Sequence, residues 1–188
     1  ASTNEQRVAS GSNFYYDGTA TSTPTVTEDA DSSGVDGDYT WYKWSAAGAG
    51  SYNNDTTQDH EYLVIAGGGA GGHGNAGAGG AGGYLAATGL SLTGGNTYVP
   101  VVGAGGAAET SSDTQGADGT DSTLTGTGIS TLTAVGGGGG GASRGAPNKH
   151  GRAGGSGGGT NYNAGNAGVG TAGPPRQGYN GAGGYSAM

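Results

Sequence analysis

The stretch EYLVIAGGGAGGHGNAGAGGAGGYL, residues 61–85, joins a short β-branched run to a long glycine-rich run. Its Gly67, Gly69 and Gly72 fit the pattern G-x-G-x-x-G, which in dinucleotide-binding folds connects a strand to a helix. A helix is not expected here, because the stretch contains eleven glycines and each costs about 1 kcal/mol relative to alanine inside a helix. No acidic residue follows at the distance where such folds hold the ribose. The pattern therefore does not predict a dinucleotide site.

The same stretch has a period of three. Every third position is glycine, namely Gly68, Gly71, Gly74, Gly77, Gly80 and Gly83. Three residues per turn is the period of the polyproline II helix, which has no internal hydrogen bonds. Backbones without side chains can approach closely, so that each N–H and C=O group finds a partner on a neighbouring segment. We therefore expect a packed bundle of polyglycine II helices, with these six glycines in its core.

Short runs rich in Val, Ile, Leu, Thr and Tyr separate the glycine-rich runs. They lie at 61–65, 84–92, 96–102 and 122–135, and their composition is typical of short strands. Glycine and threonine are poor helix formers. The sequence predicts an all-β, irregular fold, in which short β-strands combine with packed polyglycine II helices and almost no α-helix is present.

Charge and glycine content divide the chain at the same place. Of 48 glycines among 188 residues, six lie in residues 1–66 and 42 follow. The net charge of −8 arises entirely in residues 1–66, which carry ten acids and two bases. We expect a small aromatic and acidic β attachment region at 1–60 and a glycine-rich polyglycine II/β domain at 61–188. The acidic composition argues against a nucleic-acid partner, since phosphate binding requires a basic surface.

Several kinds of site are not expected from the sequence. No apolar run approaches the roughly 20 residues of a membrane span, so membrane insertion is not predicted. His60, His73 and His150 are far apart and there is no cysteine, which disfavours a metal site. The acids of 116–122 favour an Asp-Gly turn over a calcium loop. No nucleophile occurs in a catalytic context, so we expect neither an enzyme nor a cofactor.

The order of EYLVIAGGGAGG, NTYVPVVGAGGA, LTAVGGGGGG and GGSGGG resembles the glycine-rich domains of bacteriophage tail-fibre and related virion appendage proteins. It is also similar to the polyglycine sandwich of phage fibre-tip adhesins, and the resemblance covers residues 61–184. In such adhesins, loops at the tips of the glycine helices contact the host receptor. The resemblance implies a location on the virion surface, with other virion proteins and sister subunits as partners, a trimer being one option. It also implies a host cell-surface glycan or outer-membrane component as the target.

Three loops in the second half of the glycine domain carry the candidate receptor contacts. Residues 143–152 form the one basic cluster, whereas 160–166 and 174–180 place tyrosines among amides, a combination that suits carbohydrate. The candidate residues are Arg144, Lys149, His150, Arg152, Tyr162, Asn163, Arg176, Gln177 and Tyr179. The alternatives are solvated loops for the basic residues, and tyrosines that cap the glycine segments.

Residues 1–60 contain both tryptophans and the one phenylalanine. FYYDG (14–18) is aromatic, DYTWYKWSA (38–46) is typical of a strand with aromatic faces, and 21–38 is expected to be an exposed acidic loop. The aromatic residues suit either a small β core or a docking surface for another virion protein or a sister subunit. The candidate docking residues are Phe14, Tyr15, Trp41 and Trp44.

The leading hypothesis from the sequence is a bacteriophage virion appendage protein, from a tail fibre or a tail or capsid fibre, that displays host-contact loops on a rigid polyglycine scaffold. The alternative is a purely structural virion decoration or an extracellular filament subunit that has no receptor. A third hypothesis is an ice-binding protein, although Thr-x-Thr arrays on a fixed repeat are missing.

Overall fold

The protein consists of short strands and extended glycine segments, as a computed structural model shows. The structure describes residues 29–37, 39–111, 114–143, 148–161 and 165–184. No helix occurs in this part of the chain, and all of its regular structure is β. The prediction of an all-β, irregular fold is therefore confirmed.

Nine strands in the described ranges form several small antiparallel sheets. They are β1 Ser32–Asp36, β2 Tyr39–Lys43, β3 Gly48–Ala49, β4 Tyr52–Asn54, β5 Gln58–Ile65, β6 Tyr84–Leu92, β7 Asn96–Val102, β8 Ser122–Gly126 and β9 Leu132–Ala134. One sheet has the order β3-β7-β8-β9, with β4 also paired to β7, and β1-β2 and β5-β6 form two-stranded sheets. The run 122–135 gives two strands instead of one, because a turn with Gly128 at φ 83° interrupts it.

The chain divides into two compact units, each of which is described by itself. The β unit comprises the described residues of Ala1–Ile65, Leu85–Val102 and Thr123–Thr133. The glycine unit comprises those of Ala66–Tyr84, Gly103–Ser122 and Ala134–Met188. The chain enters each unit more than once. The division into domains at 1–60 and 61–188 stays a prediction.

Tyr52 is the centre of the aromatic core of the β unit. Its ring centroid lies 5.8 Å from that of Tyr42, 6.2 Å from Trp44, 5.9 Å from His60 and 6.5 Å from Tyr98. Buried aliphatic side chains complete this core, namely Leu63, Val64, Leu85, Leu92, Val102 and Leu124. Apolar burial of this kind is the usual driving force for folding, so the β unit is organised as an ordinary small core.

Trp44 belongs to this core and is not a docking residue, which corrects the prediction from the sequence. Its side chain is only 5% exposed, and its indole Nε1 donates a hydrogen bond to Asp29 Oδ1 at 2.9 Å. The backbone N–H of Ser51 donates to the same oxygen at 2.6 Å. These two bonds, that from Trp44 first, lower the pKa of the Asp29 carboxyl below its usual value. A buried ring with its one donor satisfied offers nothing to a partner.

Part of the predicted acidic loop at 21–38 is a strand. Ser32–Asp36 pairs with β2 in antiparallel register, and Gly34 lies opposite Trp41. A Cβ atom on residue 34 would lie 2.7 Å from the Trp41 ring, so glycine makes room for the half-buried indole across the strand pair. The proposed docking residues Phe14 and Tyr15 lie outside the described residues.

His60 is a buried, neutral side chain in the β unit. It is 3% exposed, and desolvation on burial lowers its pKa from 6.5 to about 4. Its Nδ1 lies 3.0 Å from the carbonyl oxygen of Gln58 and its Nε2 lies 3.3 Å from the Tyr52 hydroxyl. Because a carbonyl only accepts, Nδ1 donates to Gln58.

Nine extended glycine segments, numbered γ1 to γ9, make up most of the described glycine unit outside the strands. Their ranges are γ1 66–72, γ2 77–83, γ3 103–106, γ4 116–121, γ5 135–142, γ6 149–155, γ7 156–160, γ8 166–171 and γ9 177–182. In γ1, the N–H groups of Gly69 and Gly72 donate to Gly80 and Gly77 of γ2, at 2.8 and 3.0 Å. The N–H groups of Gly67 and Ala70, two positions earlier in each case, donate to γ4 instead. The bonds therefore join different segments and repeat every three residues.

This period is the one that polyglycine II packing requires, because a helix with three residues per turn presents each backbone group in one of three directions. Hydrogen bonds inside such a helix are absent, and the partners must come from neighbouring segments. Polyglycine II helices stay our prediction for γ1 to γ9.

The central segment γ5 has all of its backbone groups paired. Its six consecutive glycines 136–141 are buried, and their N–H groups donate in three pairs, to γ1, to γ7 and to the carboxylates of Asp118 and Asp121 in γ4. Their carbonyls accept in the same period from γ2, γ4 and γ6. A Cβ atom on any of them would lie between 1.8 and 2.2 Å from a neighbouring backbone atom. No residue other than glycine fits this segment.

Each segment has three phases, a phase being the set of every third residue. Outer segments differ from γ5 because one of their three phases faces outward. In γ1 the outward phase contains Gly68 and Gly71, which are exposed. A Cβ atom added to either would lie 3.6 or 3.5 Å, respectively, from the nearest atom, which is an ordinary contact distance. The prediction that these two glycines belong to the core is wrong. Gly74 is exposed as well, in the turn after γ1, where its φ of 79° favours glycine.

The other half of the predicted core set does lie against neighbouring backbone or side chains. A Cβ on Gly77, Gly80 or Gly83 would lie 2.0, 2.1 or 2.5 Å from another atom. In γ2 the outward phase is occupied by Ala78 and Ala81, which are exposed. The phase that faces outward thus changes across the turn between γ1 and γ2, so a single period-three frame does not describe both segments.

We predict that Gly139→Ala destabilises the protein far more than Gly68→Ala. A Cβ on residue 139 would lie 1.8 Å from the carbonyl of Gly116, and such overpacking should lower the free energy of unfolding by about 3 kcal/mol. Alanine at position 68 has room and restricts the unfolded chain, so its effect should stay within about 1 kcal/mol. Denaturant titration of both variants measures the difference, and equal effects would contradict the assignment of inner and outer phases.

We also predict that the β unit loses stability as the pH falls from 6.5 to 4. His60 is protonated near pH 6.5 in the unfolded chain but only near pH 4 in the folded chain. The neutral ring therefore contributes about 3 kcal/mol to the free energy of unfolding above pH 6.5, and this contribution is lost as the pH falls to 4. Asp29 and Asp31, whose pKa values lie below 3.8, affect stability only at lower pH.

Melting temperatures at several pH values test this prediction. His60→Gln should flatten the dependence between pH 6.5 and 4, whereas His73→Gln, at an exposed position, should leave it as in the unaltered protein. An equally steep fall in the His60 variant would show that another group is responsible.

Candidate functional site

Successive glycine segments run in opposite directions. Between γ1 and γ2, the residue number of the acceptor falls as the residue number of the donor rises, so the two segments are antiparallel. Between γ5 and γ7 both numbers rise together, since Gly138 and Gly141 donate to Ser156 and Gly159. The remaining bonds and close approaches place all odd-numbered segments in one direction and all even-numbered segments in the other.

Connections from an odd-numbered to an even-numbered segment consequently begin and end at one end of the glycine unit, which we call the loop end. They are the connections 73–76, 107–115, 143–148 and 161–165. The opposite end holds the tight turn between γ6 and γ7 and the turn at 172–176. The described residues that flank two of the three predicted receptor loops therefore lie at the loop end.

Polar side chains fasten these connections to one another. Asn161 is 3% exposed, and its Nδ2 donates to the carbonyls of Ala142 at 2.7 Å and Ser143 at 3.0 Å. Gln115 Nε2 donates to the carbonyl of His150 at 2.7 Å. The sequence suggested the amides of 160–166 as ligand contacts and missed this structural use of Asn161, and it did not single out Gln115. The available signal was their position where a segment ends and its carbonyls lose their regular partners.

Lys149 and His150 lie beside the loop end, as predicted for receptor contacts, but they differ in how they are held. The backbone N–H of Asn166 donates to His150 Nδ1 at 2.8 Å, which fixes the ring. The carbonyl of Lys149 accepts from Thr160 Oγ1 at 2.9 Å, which fixes the backbone and leaves the ammonium group outside that bond. Lys149 is thus a basic side chain on a fixed backbone.

Arg152 has a structural role that the sequence did not predict. Its guanidinium forms an ion pair with Asp118 at 2.5 Å. Asp118 Oδ1 accepts the N–H of Gly139, and Asp121 Oδ1, three residues on, accepts that of Gly136, each at 2.8 Å. The two carboxylates take the place of a neighbouring glycine segment along γ5. These acids hold backbone groups, which accounts for their spacing without a metal ion.

The third predicted loop, 174–180, does not belong to the loop end. Its turn at 172–176 lies at the opposite end, where Gln177 N donates to the carbonyl of Thr171 at 3.1 Å. The side chain of Gln177 is a structural contact, because its Oε1 accepts the N–H of Val135 at 2.8 Å. Arg176 and Tyr179 contact each other instead, with the guanidinium carbon 5.0 Å from the ring centroid. The predicted contact residues therefore fall into two separate groups.

Three of the candidate contacts, Arg144, Tyr162 and Asn163, lie outside the described residues. Within the described ranges, no group of three or more His, Cys, Asp or Glu side chains could hold a metal ion. None of the described segments is a helix of the length and apolarity needed to cross a membrane.

The fold and its loop end define a glycine-rich β protein that presents connections on a hydrogen-bonded scaffold. The chain belongs to the glycine-rich domain family, whose model matches residues 45–187. The match begins after the β1-β2 hairpin and includes the later strands as well as all nine glycine segments. No curated protein and no solved structure matches the chain.

We predict that Asp118→Ala destabilises the glycine unit more than Asp118→Asn. Alanine leaves the buried N–H of Gly139 without its acceptor, which should cost about 1–3 kcal/mol. Asparagine keeps a carbonyl oxygen there and loses mainly the ion pair with Arg152, whose side chain is 48% exposed, so its cost should stay below about 1 kcal/mol.

Denaturant titration compares the two variants, with Arg152→Ser as the control for the ion pair alone. If Asp118→Ala, Asp118→Asn and Arg152→Ser lower the free energy of unfolding by the same amount, the carboxylate stabilises the fold through its charge alone. Its hydrogen bond to γ5 would then contribute nothing.

Proposed function

We propose that this protein is a bacteriophage virion appendage protein, from a tail fibre or a tail or capsid fibre, whose glycine unit displays host-contact connections at the loop end. A polyglycine II bundle serves as its rigid scaffold. The observation that carries the proposal is the convergence of four connections, 73–76, 107–115, 143–148 and 161–165, at one end of the unit.

Rigidity of the scaffold supports a display role. Binding residues are commonly found on loops that a rigid framework positions. Here the framework has its central backbone groups fully paired, and side chains such as Asn161 and Gln115 fix the bases of the connections. A connection held at both ends loses less conformational entropy on binding than a flexible one.

The chemistry of the loop end supports a polar, carbohydrate-bearing target. Lys149 presents its ammonium group on a fixed backbone beside the loop end, and the sequence of 160–166 contains the predicted contacts Tyr162 and Asn163. A host cell-surface glycan or outer-membrane component fits this composition better than an apolar partner. Other virion proteins and sister subunits would bind the remainder of the chain, and a trimer would suit attachment to a symmetric fibre.

Adsorption measurements test the proposal. Arg144→Ser combined with Lys149→Ser should reduce adsorption of particles to host cells by roughly tenfold, corresponding to about 1.4 kcal/mol, and more at low salt, because screening weakens exposed charges. Particle assembly should be unaffected. Arg152→Ser is the matched control, since its guanidinium is engaged with Asp118 and its loss should change adsorption much less.

Location on the particle provides an independent check. Antibody fragments against 143–150 should label the outer surface of intact particles in electron microscopy and should block adsorption. Surface labelling without any effect on adsorption would favour a purely structural decoration. Absence of labelling on every particle imaged would overturn the assignment to a virion.

A further inference from the structure

Arg176 and Tyr179 lie together on the outer side of γ9, away from the loop end. The guanidinium carbon of Arg176 is 5.0 Å from the centroid of the Tyr179 ring, within the range of a cation–π contact. Arg176 is the last residue of the turn at 172–176 and Tyr179 is the third residue of γ9, and both are exposed. Val169, on the adjacent segment γ8, is 60% exposed.

The backbone under this pair is held from several sides. The carbonyl of Tyr179 accepts the N–H of Gly157 at 2.9 Å. Asn180 Oδ1 accepts the N–H of Gly170 at 2.9 Å, which joins γ9 to γ8. Gly178, between the pair, is buried, and a Cβ there would lie 2.1 Å from a carbonyl oxygen. The ring therefore projects from a rigid position.

Exposure of the ring is unusual for a tyrosine on a rigid backbone. Tyr179 is 71% exposed, although burial of an aromatic ring is normally favourable. Its neighbours along γ8 and γ9 are glycine, alanine, threonine and amide residues, together with Val169. What distinguishes Tyr179 is that its exposed ring is paired with the guanidinium of Arg176, so that an aromatic face and a positive charge are presented together.

Arg176 supplies a positive charge that no carboxylate in the described part of the chain neutralises. The ion pair between Arg152 and Asp118 is the one salt bridge among the described residues, and Arg176 is exposed with no described carboxylate beside it. Guanidinium groups bind carboxylates and phosphates in a planar, two-pronged geometry.

We propose that Arg176 and Tyr179 form a binding site for an acidic saccharide, distinct from the loop end. The tyrosine ring packs against the apolar face of the sugar ring, and the guanidinium pairs with its carboxylate or phosphate. A single aromatic ring and a single cation match a ligand the size of one sugar ring with one acidic group. A protein partner requires a larger patch of buried anchors, about 800 Å² on each side.

A glycan array tests this proposal with the full chain. The probes are galacturonic-acid oligomers, sialyllactose and mannose 6-phosphate, each beside its neutral counterpart, namely galactose oligomers, lactose and mannose. At least one acidic glycan should bind about tenfold more tightly than its neutral counterpart. Arg176→Gln should abolish this preference and Tyr179→Ala should abolish binding, with melting temperatures close to that of the unaltered protein.

Tyr84→Ala is the matched control, because Tyr84 is also in the glycine unit, is 53% exposed and has no described guanidinium over its ring. This variant and the double substitution of Arg144 and Lys149 should bind as the unaltered protein does, which separates this site from the loop end. The proposal would be overturned if the unaltered protein bound none of the acidic glycans. It would also be overturned if Tyr84→Ala and Tyr179→Ala weakened glycan binding equally. Sedimentation showing a self-associated protein that Tyr179→Ala makes monomeric would overturn it as well, because a second copy would then cover the ring.

Discussion

Close approach of backbone to backbone around γ5 is the constraint on which the glycine unit depends. Each of the six buried glycines 136–141 has a neighbouring backbone atom within 1.8 to 2.2 Å of the place where a Cβ would lie. At that separation, the N–H and C=O groups of adjacent segments reach one another directly. Because glycine loses the most conformational entropy on folding, these bonds are needed to offset the cost of ordering so many glycines.

The same packing decides where side chains can occur. A segment on the outside of the unit has two crowded phases and one open phase, as the contrast of Gly77 with Ala78 in γ2 shows. Larger side chains are confined to open phases and to connections. The acids of γ4 use the open phase to pair N–H groups of γ5. Tyr179 projects from an exposed position of γ9, beside Arg176 of the preceding turn. Structural and candidate binding residues thus arise from one geometric rule.

The β unit follows different physics. Its core is a cluster of aromatic and aliphatic side chains around Tyr52, and apolar burial stabilises it. A buried neutral histidine makes this core sensitive to acid, while the backbone bonds of γ5 involve no titratable group apart from Asp118 and Asp121. We therefore expect acid to act first on the β unit.

The sequence by itself determined the absence of helix in the described residues, the positions of most strands and the presence of glycine segments with a period of three, because these follow from local composition and spacing. It also located the basic and tyrosine-containing connections. It misassigned Gly68, Gly71 and Trp44, and it grouped 174–180 with the other loops. Only the tertiary structure decided these points, because the inward phase of a segment, the burial of a ring and the end at which a connection lies depend on neighbours distant in the chain. Alternation of segment direction, visible only in the hydrogen-bond register, separated the loop end from Arg176 and Tyr179.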